Sequence, residues 1–140
     1  MEHTQKLEYL ISLFFNTDRL IKERSQTEGL DPLSLLRFEA LRFIGEGEPT
    51  MRQIADRLRI KAPSATSFVE ALNKAGYVAR KKDPTDRRIV RMHITARGKQ
   101  SLKDSSRRIL AKTKEILSHL KQKQIDDFIA IMEEIEAAYK

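Results

Sequence analysis

Apolar residues near the start of the chain recur every three or four positions, which is the spacing of one helix face. This stripe comprises Leu7, Leu10, Ile11, Phe14 and Ile21. Gly29 predicts the end of the first helix, because glycine readily adopts the left-handed backbone that terminates helices. Residues 34–44 are apolar on more than one side, so a second helix should pack on two faces, with Gly45 and Gly47 ending it.

Two shorter helices are predicted on either side of residue 60. Thr50 and Gln53 form a capping box that opens the first, and Pro63 suits the first turn of the second, which Gly76 closes. Their inward positions are Ile54, Ala55 and Leu58, then Ala65, Phe68, Val69 and Leu72. The tight turn RIKA between them predicts a helix-turn-helix, although this pattern alone also fits an ordinary helical hairpin.

After Gly76 the pattern changes to alternation. Tyr77 to Lys82 and Ile89 to Thr95 are predicted strands, and Asp83-Pro84 is a turn signature between them. Thr95 can cap a long helix, and apolar residues from Ile125 to Tyr139 indicate a last one. The predicted order is four helices, a hairpin and two helices.

The composition is that of one soluble globular domain spanning residues 1–140, with 40% hydrophobic and 34% charged residues. The N-terminal segment LEYLISLFF contains Glu8 and continues at helical spacing, which favours a helix over a signal peptide. No apolar run is long enough for a membrane span. The absence of cysteine excludes disulfides and thiol chemistry, and it fits the reducing cytoplasm as the expected location.

The net charge of +7 is concentrated in the middle of the chain. Residues 49–79 carry +3, residues 80–99 carry +6 and residues 100–121 carry +4, whereas residues 1–48 and 122–140 carry −3 each. Such segregation is typical of a protein that presents one face to a polyanion. Nucleic acid is the first partner that this pattern indicates, and an anionic membrane surface is the second.

If residues 63–75 form the second helix of the helix-turn-helix, their outward side carries hydroxyl and charged residues. These are Ser64, Thr66, Ser67, Glu70 and Lys74, with Lys61 just before the helix. Short hydroxyl side chains near a helix N-terminus can approach phosphates and base edges, where free N–H groups also favour anions. The alternative is that they only cap and solvate the helix, but the basic hairpin directly downstream favours DNA.

The stretch from Ser64 to Gly98 resembles the MarR (multiple antibiotic resistance regulator) family. The matching residues are Leu72, Gly76, Tyr77, Arg80, Asp83, Asp86, Arg88, Met92, Ile94, Thr95 and Gly98. The resemblance implies a mostly helical fold of six helices with a small β-hairpin wing, in which about residues 34–98 form a winged helix-turn-helix lobe. It also implies a homodimer built by the first and the last two helices, at about residues 5–29 and 96–140.

The wing explains a cluster of arginines at the start of a patterned strand. Val90, Met92 and Ile94 should anchor the strand to the core, while Arg87 and Arg88 point outward, where an arginine can enter a narrow minor groove. Taken alone, two arginines in a turn could equally be solvated. The residues predicted to bind DNA are Lys61, Pro63, Ser64, Thr66, Ser67, Lys74, Arg80, Asp86, Arg87 and Arg88.

Asp83 and Asp86 resemble the paired carboxylates of a metal or acid–base site. The adjacent arginines compete for the same oxygens, however, and the three histidines are too scattered to complete a metal site. No phosphate loop, nucleophile elbow or triad spacing occurs in the sequence. The sequence therefore indicates neither an enzyme nor a bound metal or cofactor.

The leading hypothesis is a homodimeric transcription regulator that reads a pseudo-palindromic operator, with half-sites about one helical turn apart. The alternatives are a sequence-tolerant DNA-packaging protein and a winged helix used only for protein interactions, which the basic middle of the chain disfavours. By resemblance, a small aromatic or phenolic effector could bind between the dimerisation and DNA-binding parts and release a repressor from DNA. Phe14, Phe15, Phe38 and Phe43 could line that crevice, although such residues are more often core.

Overall fold

The computed structural model describes residues 1–26 and 31–140. The described residues form α1 (His3–Arg24), α2 (Pro32–Gly47), α3 (Met51–Leu58), α4 (Ala62–Lys74), β1 (Val78–Lys82), β2 (Val90–Ile94), α5 (Ala96–Leu117) and α6 (Gln122–Ala137). The prediction of a mostly helical chain with six helices and a β-hairpin is confirmed. The predicted end of the first helix at Gly29 lies outside the described residues.

The chain divides into two compact units. The terminal unit comprises Met1–Gly29 and Leu110–Lys140, and the central unit comprises Leu30–Ile109. The helix α5 passes through the boundary between them. The organisation expected from the sequence, a single domain with DNA-binding and dimerisation parts, stays a prediction.

The core of the central unit takes side chains from α2, α3, α4 and both strands. It contains Ala40, Leu41, Ile44, Ile54, Val69, Leu72, Val78, Met92 and Ile94, none of them more than 6% exposed. Burying one leucine or isoleucine side chain stabilises a fold by about 1.5–3 kcal/mol. Because every element of the unit from α2 to β2 contributes to this cluster, the helix-turn-helix and the hairpin share one core.

The helix α2 ends later than its glycines predict. Gly45 lies within the helix, which continues to Gly47, and Glu48 adopts the left-handed conformation (φ 48°) that ends it. The prediction that Gly45 ends the helix is therefore wrong. The reason is that the backbone hydrogen bonds continue, with the Glu48 N–H donating to the Ile44 carbonyl (3.3 Å).

The helices α3 and α4 form the predicted helix-turn-helix. The Gln53 N–H donates to Thr50 Oγ1 (3.3 Å), and the Thr50 N–H donates to the Gln53 side chain (2.9 Å), so the predicted capping box is confirmed. Arg59 ends α3 in the left-handed conformation (φ 55°). Pro63 lies in the first turn of α4 as predicted. The buried positions are Ile54 and Ala55 on α3 and Ala65, Val69 and Leu72 on α4.

The strands β1 and β2 pair in antiparallel register from Val78 opposite Ile94 to Lys82 opposite Val90. Met92 and Ile94 are 2% and 6% exposed, as predicted for residues that anchor the wing, but Val90 is 45% exposed. The prediction that Val90 also anchors the wing is wrong. Its pairing with Lys82 places it at the far end of the hairpin, beyond the core.

The root of the hairpin is joined to the segment before α3. The Met92 N–H donates to the Pro49 carbonyl (2.8 Å), and Thr50 forms an isolated antiparallel bridge with Arg91. The backbone hydrogen bonds of β2 are thus shared between β1 and the start of the helix-turn-helix. This arrangement ties the wing to α3 through main-chain contacts.

The start of α5 packs directly against the start of the hairpin. Thr95 Oγ1 accepts a hydrogen bond from the Gly98 N–H (3.0 Å) and donates to the Gly76 carbonyl (2.5 Å). The predicted Thr95 cap is therefore confirmed. Gly98 is buried, and a Cβ at this position would overlap the Tyr77 carbonyl and meet the Ile94 side chain.

In the terminal unit, α1 and α6 leave their apolar stripes exposed. The largest side chains of these stripes are 48–71% exposed, and they are Leu7, Leu10, Ile11, Phe14 and Phe15 on α1 and Phe128, Ile129, Ile131, Met132 and Ile135 on α6. Neither helix contains a buried residue. Across residues 1–26 and 31–140, no helix has both the length and the apolar character that crossing a membrane requires.

We expect Gly98→Ala to destabilise the protein by about 1–3 kcal/mol, the range for overpacking a close contact. The added methyl group would overlap the Tyr77 carbonyl, whose backbone cannot yield without disturbing the hairpin. Gly47→Ala is the matched control, because a Cβ at this position would meet no atom within 4 Å beyond its chain neighbours and the backbone of its own helix. Urea unfolding followed by circular dichroism measures both variants. Equal midpoints for the two would contradict the packing argument.

Candidate nucleic-acid interface

The exposed side of α4 and the residue before it carry six of the positions predicted to bind DNA. Lys61, Pro63, Ser64, Thr66, Ser67 and Lys74 are all exposed. The Thr66 hydroxyl donates to the Ala62 carbonyl one turn earlier (3.0 Å). In the described part of the chain, the hydroxyls of Ser64 and Ser67 form no hydrogen bond. Two short hydroxyl side chains are thus available on this surface.

The N-terminus of α4 also presents free backbone donors. Lys61 occupies the N-cap position without a side-chain cap, and the Ala65 N–H donates to the Lys61 carbonyl (2.9 Å). The N–H groups of Ala62 and Ser64 precede that first helical bond and are open to an anion. Ser64 lies inside the first turn, so the alternative in which it caps the helix does not apply.

An ion pair joins the wing to α4. The Arg80 guanidinium on β1 donates to the Glu70 carboxylate on α4. Arg80 was predicted to bind DNA, and the structure shows that it already has a carboxylate partner. The pair lies at the surface, with side chains 54% and 39% exposed, so its own contribution to stability is small. Its effect is to hold Arg80 beside the exposed face of α4.

Asp83 organises the turn between the strands. Its Oδ1 accepts from the Thr85 hydroxyl (2.7 Å), the Thr85 N–H (2.8 Å) and the Asp86 N–H (3.1 Å). The Thr85 hydroxyl first, then the Arg91 guanidinium and these backbone donors, hold the pKa of Asp83 well below its ordinary value. The carboxylate is therefore ionised at neutral pH, and it closes the turn.

Arg91 is a residue of this site that the sequence reasoning missed. Its Nε donates to the second oxygen of Asp83 (2.5 Å), and its Nη1 donates to the Glu48 carbonyl (3.4 Å). Asp83 is 7% exposed, so this pair is shielded more than the other ion pairs of the wing. The alternation of β2 placed Arg91 on its polar side and gave no sign of a partner eight residues earlier.

Asp86 and Arg88 form a fork-to-carboxylate pair at the tip of the wing. Arg88 Nε and Nη2 donate to the two oxygens of Asp86, each at 3.1 Å, and the Arg88 N–H adds a third bond of 3.1 Å. The side-chain bonds from Arg88, then its N–H, lower the pKa of Asp86, and Asp86 in turn raises the pKa of Arg88. The Arg88 side chain is 91% exposed, so the pair fixes an arginine that faces solvent.

Much of the positive charge of the wing is already paired. Besides Arg80, Arg88 and Arg91, Lys81 donates to the Glu48 carboxylate (3.2 Å). Within the described ranges, Lys82 and Arg87 are the basic side chains of the hairpin that have no acidic partner. The wing therefore combines two basic side chains without an acidic partner, Lys82 and Arg87, with one arginine, Arg88, whose orientation is fixed by Asp86.

The four phenylalanines predicted to line an effector crevice belong to different units. Phe14 and Phe15 are in the terminal unit, where their rings meet edge to face at 5.9 Å. Phe38 and Phe43 are half-buried in the central unit. The Arg57 guanidinium lies 5.3 Å from the centre of the Phe43 ring. The role of all four in effector binding stays a prediction.

Sequence comparisons connect the chain with known regulators. A sequence profile of the MarR family matches residues 29–89. The HTH-type transcriptional regulator YcgE of Bacillus subtilis is 32% identical over 104 residues, which cover 73% of this chain and 65% of YcgE. The chain thus aligns with less than two thirds of the length of that relative.

Structural comparisons extend over almost the whole chain. The transcriptional regulator BldR of Sulfolobus solfataricus is 27% identical with a TM-score of 0.69, and the alignment covers 99% of both chains. FabT of Streptococcus pneumoniae, solved in complex with DNA, is 20% identical with a TM-score of 0.65, over 99% of this chain and 100% of FabT. At 20% identity, the likeness between this chain and FabT concerns the fold alone.

We expect Asp83→Asn to lower the urea midpoint at neutral pH, because an amide cannot replace the charged partner of Arg91. The pKa of Asp83 is lower in the folded than in the unfolded protein. Its contribution to stability is therefore present above the unfolded value of about 4 and is lost as the pH falls below it. The gap between the two midpoints should therefore begin to narrow below about pH 4 and close only in stronger acid, where Asp83 is protonated in the folded protein as well. Asp127→Asn on α6 is the control, and an undiminished gap in strong acid would contradict this assignment.

Proposed function

Because the chain belongs to the MarR family, we propose that it is a transcription regulator that binds double-stranded DNA sequence-specifically as a homodimer. One α4 per subunit would enter the major groove and one wing per subunit the flanking minor groove. The observation that carries the proposal is the solvent-facing Arg88 held by Asp86 at the tip of the wing. The complex of FabT with DNA supports DNA as a partner of this fold.

The two parts of the surface suit different parts of the duplex. The exposed face of α4 carries the hydroxyls of Ser64 and Ser67 beside the open N–H groups of its first turn. Such groups reach base edges and phosphates at short range. The arginine of the wing suits a narrow minor groove, where the negative potential is enhanced. Lys61 and Lys74, both exposed, are suited to phosphates.

Two rival functions remain for this surface. A DNA-packaging protein would use the same basic residues without sequence preference, and a protein-interaction module would not use them for DNA at all. The ordered ion pair of Asp86 and Arg88 favours sequence-specific binding, because general attraction to phosphates needs charge and no fixed geometry.

We propose that the protein represses transcription and does not activate it.

The operator experiment tests the function directly. Duplexes that the full-length protein binds are selected from a random library, sequenced, and compared with unrelated duplex at fixed salt. We expect an inverted repeat with half-site centres about 10 base pairs apart, bound at least about a thousandfold more tightly than random duplex. Equal affinity for all sequences indicates a packaging protein. Absence of salt-sensitive duplex binding indicates a protein-interaction module.

The Asp86→Asn variant separates charge from geometry. It removes a negative charge, so a wing that acts through net charge alone should bind DNA more tightly. We expect weaker binding instead. Asp86 already restricts the Arg88 side chain, so Arg88 loses less rotamer entropy when it binds DNA. Arg88→Ala should lose roughly tenfold or more in affinity, as expected for one well-placed arginine, and Asp86→Asn a smaller factor.

Controls for this pair are available in the same chain. The double variant Asp86→Asn, Arg88→Ala should bind like Arg88→Ala alone, because both losses have one cause. Asp127→Asn on α6 makes the same charge change in the terminal unit and should leave affinity unchanged. Operator titration at fixed salt, with thermal melts to verify folding, measures the parent and all four variants. Tighter binding by Asp86→Asn would show that the wing acts by charge alone.

The exposed apolar stripes of α1 and α6 support the proposed homodimer. Ten large apolar side chains on these two helices are 48–71% exposed. Single exposed apolar residues are normal on a protein surface, whereas stripes of this size mark an interaction site. A second copy of the chain brings an identical apolar surface, and two-fold association would cover both.

A charge on the apolar side of α6 should disrupt the dimer. Ile131 is 54% exposed, and Ile131→Glu would place a carboxylate in the proposed interface, where desolvation is costly. Gln122→Glu makes the same charge change at a polar position on the same helix. Light scattering after size-exclusion chromatography should give a dimer for the parent and the control and a monomer for Ile131→Glu. A monomeric parent at micromolar concentration would rule out the dimer.

We further propose that a small aromatic or phenolic anion acts as an effector, with Phe14, Phe15, Phe38 and Phe43 as candidate contacts. The exposure of the Phe14 and Phe15 rings, 71% and 66%, supports a role in contacts outside the single chain. Dimer formation is the competing explanation for that exposure. A decrease in operator affinity on adding salicylate, abolished by Phe→Leu variants that remain dimeric, tests the effector role separately from dimerisation.

A further inference from the structure

A cavity of about 610 Å³ in the central unit is lined by four arginines. They are Arg37, Arg97, Arg107 and Arg108, and the other lining residues are Tyr77, Gln100, Ser101 and Asp104. We propose that this cavity binds a small organic molecule carrying two or more negative charges on phosphate or carboxylate oxygens. The site lies within the central unit and includes none of the four phenylalanines, and its existence does not depend on DNA binding.

The charges around the cavity are not balanced by its own residues. Asp104 is the single carboxylate of the lining; it accepts from the Gln100 amide (3.0 Å) and lies 3.9 Å from Arg107. In residues 1–26 and 31–140, the guanidiniums of Arg37, Arg97 and Arg108 form no ion pair at hydrogen-bonding distance. Arg37 is attracted electrostatically by Asp31, without a hydrogen bond between them. Like charges around a shared cavity repel, and a multiply charged anion relieves that repulsion while accepting hydrogen bonds from them.

Arg37 supplies a second, independent indication. Its Nε is buried and has no hydrogen-bond partner among the described residues. Buried polar atoms in folded proteins nearly always have a partner, so this donor would gain one if a bound acceptor drew the Arg37 guanidinium toward the cavity. A guanidinium Nε together with a neighbouring terminal nitrogen also matches two oxygens of one phosphate or carboxylate.

Tyr77 holds two of the arginines near one another. The guanidinium carbons of Arg37 and Arg97 lie 5.9 Å and 5.5 Å from the centre of its ring. Contact with an aromatic ring stabilises a guanidinium and restricts its motion without neutralising it. The position of Tyr77 is itself set by the hairpin, since its carbonyl accepts from the Thr95 N–H (3.1 Å). The two charges are therefore placed before a ligand arrives.

The size of the cavity selects the class of anion. A volume of about 610 Å³ lies in the usual range for organic ligands, roughly 300–1,000 Å³, and exceeds the needs of a single inorganic ion. Gln100 and Ser101 add polar groups beside the arginines. The ligand expected from this lining is a phosphorylated or dicarboxylic organic molecule, because cationic ligands would be repelled and neutral ones would leave the guanidiniums unpaired.

The test uses the full-length protein without DNA. Inorganic pyrophosphate and glutarate are titrated separately at constant ionic strength, with calorimetry for affinity and the NMR signals of arginine Nε–H groups for location. We expect at least one probe to bind and to shift the Arg37 signal, and the tighter probe identifies the phosphate or the carboxylate class. Failure of both probes to bind at about 1 mM would overturn the proposal.

Matched variants separate a built site from general attraction. Arg97→Gln and Arg37→Gln should each weaken binding about tenfold or more, because each removes a charge-assisted donor. Arg52→Gln, an exposed position on α3, removes the same charge outside the cavity and should leave affinity unchanged. Arg97→Lys keeps the charge and should lose part of the affinity. Circular dichroism verifies that the variants are folded.

Two results would contradict the proposal. Equal losses in Arg97→Gln and Arg52→Gln would show attraction by net charge, with no defined site. Loss of duplex affinity in Arg97→Gln, combined with no binding of either probe, would show that the cavity contacts the DNA backbone instead. Neither result bears on whether Arg88 and α4 read an operator, so the two proposals can fail separately.

Discussion

The geometry of the wing depends on the carboxylate of Asp83. One oxygen accepts three hydrogen bonds from the turn, and the other accepts from Arg91. Arg91 also reaches the Glu48 carbonyl at the end of α2, so one buried carboxylate connects the turn with the helical part of the unit. The Asp86 N–H is among the groups that it binds, and Asp86 in turn holds Arg88. The direction of an exposed arginine is thus set by a shielded anion.

The fold was largely predictable because its signals are local. Thr50 with Gln53, Pro63, and Thr95 with Gly98 are capping or packing features within three residues of a helix start. Each states where a helix begins without reference to the rest of the chain. The apolar spacing then indicates which side is buried. The resemblance of Ser64 to Gly98 to a known family added the interpretation of the predicted hairpin as a wing, and the structure contains that hairpin. The structure also shows the fork between Arg88 and Asp86.

The features that were missed depend on backbone geometry or packing that the residue pattern does not report. Gly45 remains helical because Glu48 completes the ladder, and Val90 is exposed because the hairpin extends past its core. Arg91 lies in a strand whose alternation gives no sign of Asp83 as its partner. The arginines around Tyr77 come from α2 and α5, so their convergence is a property of the packed unit. Residue type and spacing alone do not predict which side chains from different elements come into contact.

The uncovered apolar sides of α1 and α6 make protein concentration a physical variable in the behaviour of this chain. If association covers them, the dimer is stabilised by mass action, and the fraction of assembled protein rises with the amount present. A binding site that needs two subunits then responds to concentration more steeply than one that needs a single chain. Synthesis and dilution would consequently affect occupancy of DNA even with no change in any side chain of α4 or the wing.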